Sequence, residues 1–177
     1  PLMPWFIFIL IFLWTPPHFW ALALYRSKEY EKVGVPMMPN VKGKSRTLVE
    51  MKIYSILLII LSIITFFSYT PSIDWDIFNN VNQENFIVSF TTTVLSVWYA
   101  TTVWNIDVFE KVDESGRMSI ASRSFFVSLL YLALMFIVLV TGSLGFEGSL
   151  IGLFIVLACI YISETKNKKS YLEVYDA

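Results

Sequence analysis

The sequence predicts an all-α membrane protein with five transmembrane helices. Apolar residues make up 56% of the 177 residues and charged residues 15%, whereas soluble domains average about 45–50% and about 25%. The apolar residues are gathered into long runs, and the charges lie in the segments between them. We therefore expect a bundle of helices embedded in lipid rather than a water-soluble core.

Five runs of the chain contain no Asp, Glu, Lys or Arg and approach the roughly 20 residues that cross a bilayer as a helix. They are Leu2–Tyr25, Ile53–Tyr69, Phe86–Trp104, Phe125–Gly142 and Leu150–Ser163. In hydrocarbon, backbone N–H and C=O groups must be satisfied within each segment, which favours helices. A β-barrel would need strands of alternating polarity, and the continuous apolar stretch 57–61 shows no alternation.

The charges between the runs follow an alternating pattern. The first and third connections and the carboxyl-terminal tail contain Lys and Arg, whereas the second and fourth connections contain no basic residue. Because basic loops stay on the cytoplasmic side, the pattern predicts an external amino terminus and a carboxyl terminus in the cytoplasm or matrix. It also favours the fifth run as a true span, since a hairpin would put the basic tail on the wrong side.

Composition and single residues exclude several classes of function. A formal net charge of −1 provides no global attraction for nucleic acid. Cys159 is the only cysteine and His18 the only histidine, which excludes an internal disulfide and a two-histidine metal or haem site. The first run lacks the basic start and the cleavage site of a signal peptide. Because the chain starts at Pro1 and not at Met, we expect it to be a fragment of a protein whose amino-terminal portion precedes it.

The most unusual stretch is 14–20, WTPPHFW, within the first run. Pro16 and Pro17 remove two N–H donors, which predicts a kink or a break in the helix. His18 lies about 10 Å below the expected helix end, where an ionisable group normally faces the interior of a bundle. It either faces a site or caps a carbonyl group freed by the prolines. Helical spacing predicts a single face that carries Trp14, His18, Tyr25 and Glu29.

The long basic connection 26–52 is the second informative feature. It interleaves acidic and basic residues around a rigid turn at 34–39, GVPMMP. A Mg²⁺-bound diphosphate needs carboxylates for the metal and Lys or Arg for the phosphate oxygens. The connection contains both kinds of group. The alternative is a plain topology signal that contacts lipid headgroups.

An ordered string of residues resembles the protohaem IX farnesyltransferases, which are intramembrane prenyltransferases of the UbiA type. The string comprises 14–26 (WTPPHFWALALYR), Tyr30, the turn 34–39 and Lys42-Gly43. A looser likeness continues through Trp98 and 128–132. The resemblance covers nearly all of residues 1–144, which it identifies as the carboxyl-terminal part of the prenyltransferase domain. Residues 145–177 are expected to form an additional transmembrane helix and a cytoplasmic tail.

The resemblance implies a nine-helix intramembrane bundle in a bacterial plasma membrane or a mitochondrial inner membrane. The implied reaction transfers a farnesyl group from farnesyl diphosphate to a vinyl group of haem B, with addition of water and release of diphosphate. Haem B is then a substrate, Mg²⁺ is the implied cofactor, and the lipid bilayer is the medium. One acidic motif of the family lies on an earlier loop and is absent from this chain, so the chain alone is expected to be inactive.

The resemblance also implies roles for particular residues. His18 is expected to be catalytic, as a ligand of the haem iron or a proton-transfer group near the vinyl carbon, and Glu29 to be a metal ligand. The family generally has adjacent acidic residues before the tyrosine, but this chain has Lys28 and Glu29 there. Substrate-binding roles are implied for Trp14, Tyr25, Arg26, Lys28, Tyr30, Lys42 and Arg46.

Three other functions fit parts of the sequence. A related prenyltransferase could use another acceptor, such as a quinone precursor, although the PPHFW run argues against this. A transporter or channel half would also have broken helices and a buried histidine, but the runs contain no charged residue for an ion pathway. A non-catalytic membrane assembly factor would explain the altered acidic pair at Lys28 and Glu29.

Overall fold

The structure is a computed structural model that describes residues 3–68, 83–107, 109 and 117–175. Seven helices follow one another along these residues. They are α1 (Met3–Tyr25), α2 (Ser27–Lys32), α3 (Met38–Lys42), α4 (Lys44–Ser68), α5 (Gln83–Trp104), α6 (Ser119–Gly142) and α7 (Phe146–Tyr175). Five of them, α1 and α4 to α7, are long and apolar enough to cross a membrane. The predicted all-α membrane fold with five spans is confirmed.

The helices extend beyond the apolar runs at several ends. Helix α4 begins at Lys44 rather than at Ile53, and α7 continues past Ser163 to Tyr175. A helix satisfies its backbone groups internally, so it does not need to end where the hydrocarbon ends. Apolar runs therefore locate the membrane-embedded part of each helix and not its full length.

Helix α1 continues through both of its prolines. Of the kink or break expected at Pro16 and Pro17, the break does not occur, because each proline removes one N–H donor while the bonds on either side hold the helical path, and the kink stays a prediction. Thr15, directly before them, donates its hydroxyl proton to the carbonyl oxygen of Ile11 at 2.6 Å.

The long helices pack in a connected bundle. Helix α1 contacts α4 and α6, while α5 contacts α4, α6 and α7. Helix α7 also contacts α6, so α7 adds a candidate span to the same bundle. Several buried hydroxyl groups inside the bundle donate to carbonyl groups of their own helix. On α5, for example, Ser96 donates to Thr92 O at 2.9 Å and Thr102 to Tyr99 O at 2.8 Å.

Contacts bring the first and third basic connections together at one end of the bundle. Glu29 of α2 pairs with Arg117, which lies just before α6. Lys52 of α4 places its ammonium group 5.4 Å from the centre of the Trp104 ring at the end of α5. These contacts agree with the predicted alternation of the spans. The excess of basic residues predicts that this end lies on the cytoplasmic or matrix side.

Candidate functional site

His18 lies in the interface between α1 and α6, with 8% of its surface exposed. Its ring is stacked between Trp14 and Phe125, with centroid distances of 4.4 Å and 4.8 Å and interplanar angles of 20° and 25°. Trp14 precedes His18 by one helical turn on α1, and Phe125 comes from α6. Two aromatic faces therefore hold the imidazole from both sides.

Both Trp14 and His18 bind the same residue of α6. The indole Nε1–H of Trp14 donates to the carbonyl oxygen of Ser128 at 2.9 Å. Nδ1 of His18 lies 2.6 Å from the hydroxyl oxygen of Ser128. His18 thus bonds to α6 and does not cap a carbonyl group freed by the prolines of its own helix. Its interior position, predicted from the sequence, is the one observed.

A charged cluster lies about two helical turns beyond His18, at the end of α1. Oε1 of Glu29 accepts hydrogen bonds from Nε and Nη2 of Arg117 at 3.0 Å and 2.8 Å. Oε2 of Glu29 lies 3.6 Å from Nη1 of Arg26. The two guanidinium groups also lie near the Tyr25 ring, 5.9 Å from its centre for Arg26 and 5.7 Å for Arg117.

The residues of this cluster do not form a complete site for Mg²⁺. Glu29, the predicted metal ligand, already has an arginine on each of its two oxygens. Among the described residues, no group of three His, Cys, Asp or Glu side chains comes together in a way that could hold a metal ion. The metal-binding role of Glu29 therefore stays a prediction, and the geometry shows it as the partner of arginines.

A polar cavity of about 590 Å³ lies between α2 and the turn that leads into α4. Lys28 and Lys44 contribute its cationic groups, with Glu31 and Asn40 beside them. Asn40 donates its side-chain amide to Ser27 O at 3.4 Å, which ties α3 to α2. Two ammonium groups on one cavity can attract a phosphate group, since Lys acts as a point charge toward phosphate.

Three further residues that were predicted to bind substrate lie outside this cavity's lining. Arg46 pairs with Glu50 one turn later on its own helix, and its side chain is 63% exposed. Lys42 is exposed at the end of α3. Tyr30 accepts a hydrogen bond on its backbone oxygen from Val35 N at 3.0 Å, which closes the turn after α2. Their substrate-binding roles stay predictions.

Sequence reasoning missed Ser128, Arg117 and Lys44 as site residues. A lone serine in an apolar helix gives little signal, because its hydroxyl usually bonds to a carbonyl of its own helix. Arg117 was counted as a charge that sets topology, and only the fold brings it to Glu29. Only weak evidence in the sequence pointed to a binding role of Lys44, namely that it lies in the same basic connection as Lys28.

Comparisons with known proteins indicate a family. The sequence profile of the UbiA prenyltransferase family matches residues 1–79, which include His18, Glu29 and the cavity lining but not their partners on α6 or Arg117. Over these residues the chain is similar to the UbiA prenyltransferases. The resemblance predicted from the sequence is therefore confirmed at the level of the family.

Several relatives of the chain carry one name. A protein named protoheme IX farnesyltransferase from Bartonella tribocorum is 35% identical over 138 residues, which cover 78% of this chain and 40% of the relative. One of the same name from Parvibaculum lavamentivorans is 36% identical over 150 residues, which cover 82% of this chain and 42% of the relative. A third, from Erythrobacter litoralis, is 62% identical over 58 residues, or 33% of this chain and 19% of the relative.

The chain spans about 40% of the length of the first two of these relatives. No solved structure matches the chain. The family profile ends at residue 79, so the extension of the prenyltransferase domain to residue 144 stays a proposal. The proposed end of the prenyltransferase domain, at residue 144, lies in the turn between α6 and α7.

Proposed function

We propose that this chain contributes to an integral membrane prenyltransferase that moves a farnesyl group from farnesyl diphosphate to haem B. One observation carries the proposal: an imidazole stacked between two aromatic rings lies about 10 Å below a group of cationic side chains at the same end of the bundle. The names of the relatives support the choice of substrates.

The cationic end of the bundle is suited to the diphosphate. In the proposed reaction, the bond between C1 of the farnesyl group and the diphosphate oxygen breaks, and the diphosphate leaves with the electron pair. Arg117, Arg26 and Lys28 are proposed to hold the negative charge that develops on it. Hydrogen bonds from cationic donors to phosphate oxygens are among the stronger ones in proteins.

The aromatic end is suited to the acceptor step. C1 of the allylic group bonds to the terminal carbon of a haem vinyl group, and water adds to the neighbouring carbon with loss of a proton. The faces of Trp14 and Phe125 can stabilise the cationic character of the reacting groups. His18 is proposed to take the proton from water or to bind the haem iron.

We also propose an energy-transducing membrane as the location, either the plasma membrane of a bacterium or the inner membrane of a mitochondrion. Farnesyl diphosphate has a long apolar chain and haem B a large apolar ring, and the bundle exposes large apolar side chains along its outer faces. Lipid can therefore deliver both substrates laterally.

A chimera tests this function. The chain replaces the region that it matches in the Parvibaculum lavamentivorans protein, and the membranes are supplied with haem B and farnesyl diphosphate. We expect farnesylated haem, detected by mass spectrometry, and none from the same protein truncated before the replaced region.

Two results of this assay would contradict the proposal. Transfer of farnesyl to a quinone precursor, with haem unchanged, would show a different acceptor. A chimera that is inserted and folded but leaves both substrates unchanged would favour a non-catalytic assembly factor.

A further inference from the structure

The hydroxyl group of Ser128 takes part in two short contacts inside the bundle. It donates its single proton to the carbonyl oxygen of Phe125 at 2.6 Å. Nδ1 of His18 lies 2.6 Å from the same oxygen. A hydroxyl has one proton and two lone pairs, so the contact to His18 is satisfied when Nδ1 carries the proton and donates it.

The side chains on both sides of the His18 ring prevent it from flipping and so keep Nδ1 toward Ser128. Trp14 and Phe125 cover its two faces at centroid distances of 4.4 Å and 4.8 Å. Trp14 is itself fixed to the backbone of Ser128 by its indole N–H. A ring flip would need both aromatic side chains to move apart, in an interior that is packed like a crystal.

The second ring nitrogen has a different environment. Among the described residues, Nε2 of His18 has no hydrogen-bond partner. It is also not one of the fully enclosed polar atoms without a partner, which in the described part of the chain are Ser89 Oγ and Tyr99 Oη. The 8% of His18 that stays exposed therefore includes Nε2.

We propose that Ser128 is a positioning residue, which holds neutral His18 with its proton on Nδ1 and leaves the lone pair of Nε2 free for a ligand or a proton. The hydrogen bond on one imidazole nitrogen determines which form the other nitrogen takes. The use of that lone pair on haem or water rests on the proposed function, whereas the proton position does not.

The single histidine of the chain makes the proton position measurable. The full chain is labelled with ¹⁵N-histidine, purified with a tag that contains no histidine, and placed in lipid nanodiscs at a pH where the ring is neutral. Nitrogen NMR distinguishes a protonated from an unprotonated ring nitrogen. We expect a protonated Nδ1 and an unprotonated Nε2 in the unmodified chain.

Two serine variants distinguish the effect of losing the Ser128–His18 hydrogen bond from the effect of losing any buried hydroxyl group. Ser128→Ala removes the acceptor, and we expect the proton to shift toward Nε2, the form that imidazole prefers in water. Ser124→Ala is the matched control, because Ser124 is also fully buried on α6 but contacts Thr102. It should leave the histidine signals unchanged.

The outcomes decide the proposal without reference to activity. A protonated Nε2 in the unmodified chain would overturn it, and this result needs no variant to fold. Identical histidine signals in the unmodified chain and in Ser128→Ala would overturn it as well. Ser128→Thr keeps a hydroxyl and is expected to keep the proton on Nδ1.

Activity then tests how the lone pair is used. Loss of a partner that orients a metal-ligating histidine typically costs about 10-fold to 100-fold in activity. In the chimera, we expect Ser128→Ala to lower kcat by about 10-fold with the KM for farnesyl diphosphate unchanged, and Ser124→Ala to change neither. If Nδ1 carries the proton but Ser128→Ala keeps full turnover, the positioning of His18 stands and its role in the proposed reaction fails.

Discussion

Glu29 accepts two hydrogen bonds on one carboxylate oxygen from Arg117, a residue that follows it by 88 positions in the sequence. This pair joins α2 to the segment that enters α6. With Arg26 on the other oxygen, the carboxylate keeps two guanidinium groups together beside the Tyr25 ring. The consequence is a concentration of positive charge directly above the helix that carries His18.

The first prediction distinguishes the contribution of the Glu29–Arg117 pair to folding stability from the contribution of Arg117 to binding farnesyl diphosphate. The two side chains are 39% and 40% exposed, so Arg117→Gln should cost no more than about 1 kcal/mol of folding stability. Loss of a charged contact to phosphate is worth about 1.5–3 kcal/mol, or roughly 10-fold to 100-fold in affinity. We therefore expect the KM for farnesyl diphosphate in the chimera to rise at least about 10-fold, with thermal stability nearly unchanged.

Lys32→Gln is the control for this variant. Lys32 is an exposed basic residue at the end of α2 and lies outside the cluster and the cavity lining. Equal effects of the two substitutions would show that general positive charge, and not the position of Arg117, attracts the diphosphate. A KM unchanged by Arg117→Gln would remove this residue from the proposed binding site.

The second prediction concerns the orientation of the bundle in its membrane. Ser45 lies at the start of α4 and Ser143 at the end of α6, and both are exposed. Cysteines introduced singly at these positions, in a Cys159→Ala background, should react with an impermeant reagent from opposite sides. Ser45→Cys should be labelled from the cytoplasmic or matrix side. Labelling of both from one side would contradict the arrangement of the spans.

The third prediction concerns the attachment of α7. Oε1 of Glu164 accepts from Trp98 Nε1 at 2.8 Å and pairs with Arg123, so it links α7 to α5 and α6. A charged hydrogen bond is worth about 1.5–3 kcal/mol, but Glu164 is partly exposed, which reduces the expected loss in Glu164→Gln to about 1 kcal/mol.

Thermal unfolding in detergent measures this loss. Glu147→Gln is the matched control, since Glu147 is exposed at the opposite end of the same helix. We expect the unfolding temperature to fall for Glu164→Gln and to stay unchanged for Glu147→Gln. No difference between the two variants would show that α7 is held by apolar packing alone.

Much of the fold could be predicted because the bilayer imposes a simple rule on helix length and composition. The apolar runs located all five spans, and the charges gave their alternation. The rule says nothing about helix ends in water, so the start of α4 at Lys44 was missed. It also could not show that α1 stays helical through Pro16 and Pro17, because that depends on the bonds that surround them.

The candidate site could be predicted only in part. His18 stood out as a titratable group within an apolar run, and the proline-rich turn marked the loop beside it. Its partner Ser128 and the arginine beside Glu29 come from distant segments, and nothing in their local sequence points to these contacts. Pairings of this kind depend on how the helices pack and cannot be read from the periodicity of any one helix.

Turnover by a His18→Gln variant of the chimera tests the central claim most directly. Glutamine keeps a polar group that can still bond to Ser128, so expression and thermal stability should be unchanged. It offers no imidazole lone pair for haem iron or for a proton. We predict that farnesyl transfer to haem falls by at least about 10-fold, which is roughly 1.4 kcal/mol of activation free energy. Near-normal transfer at unchanged stability would contradict the placement of His18 in the active site.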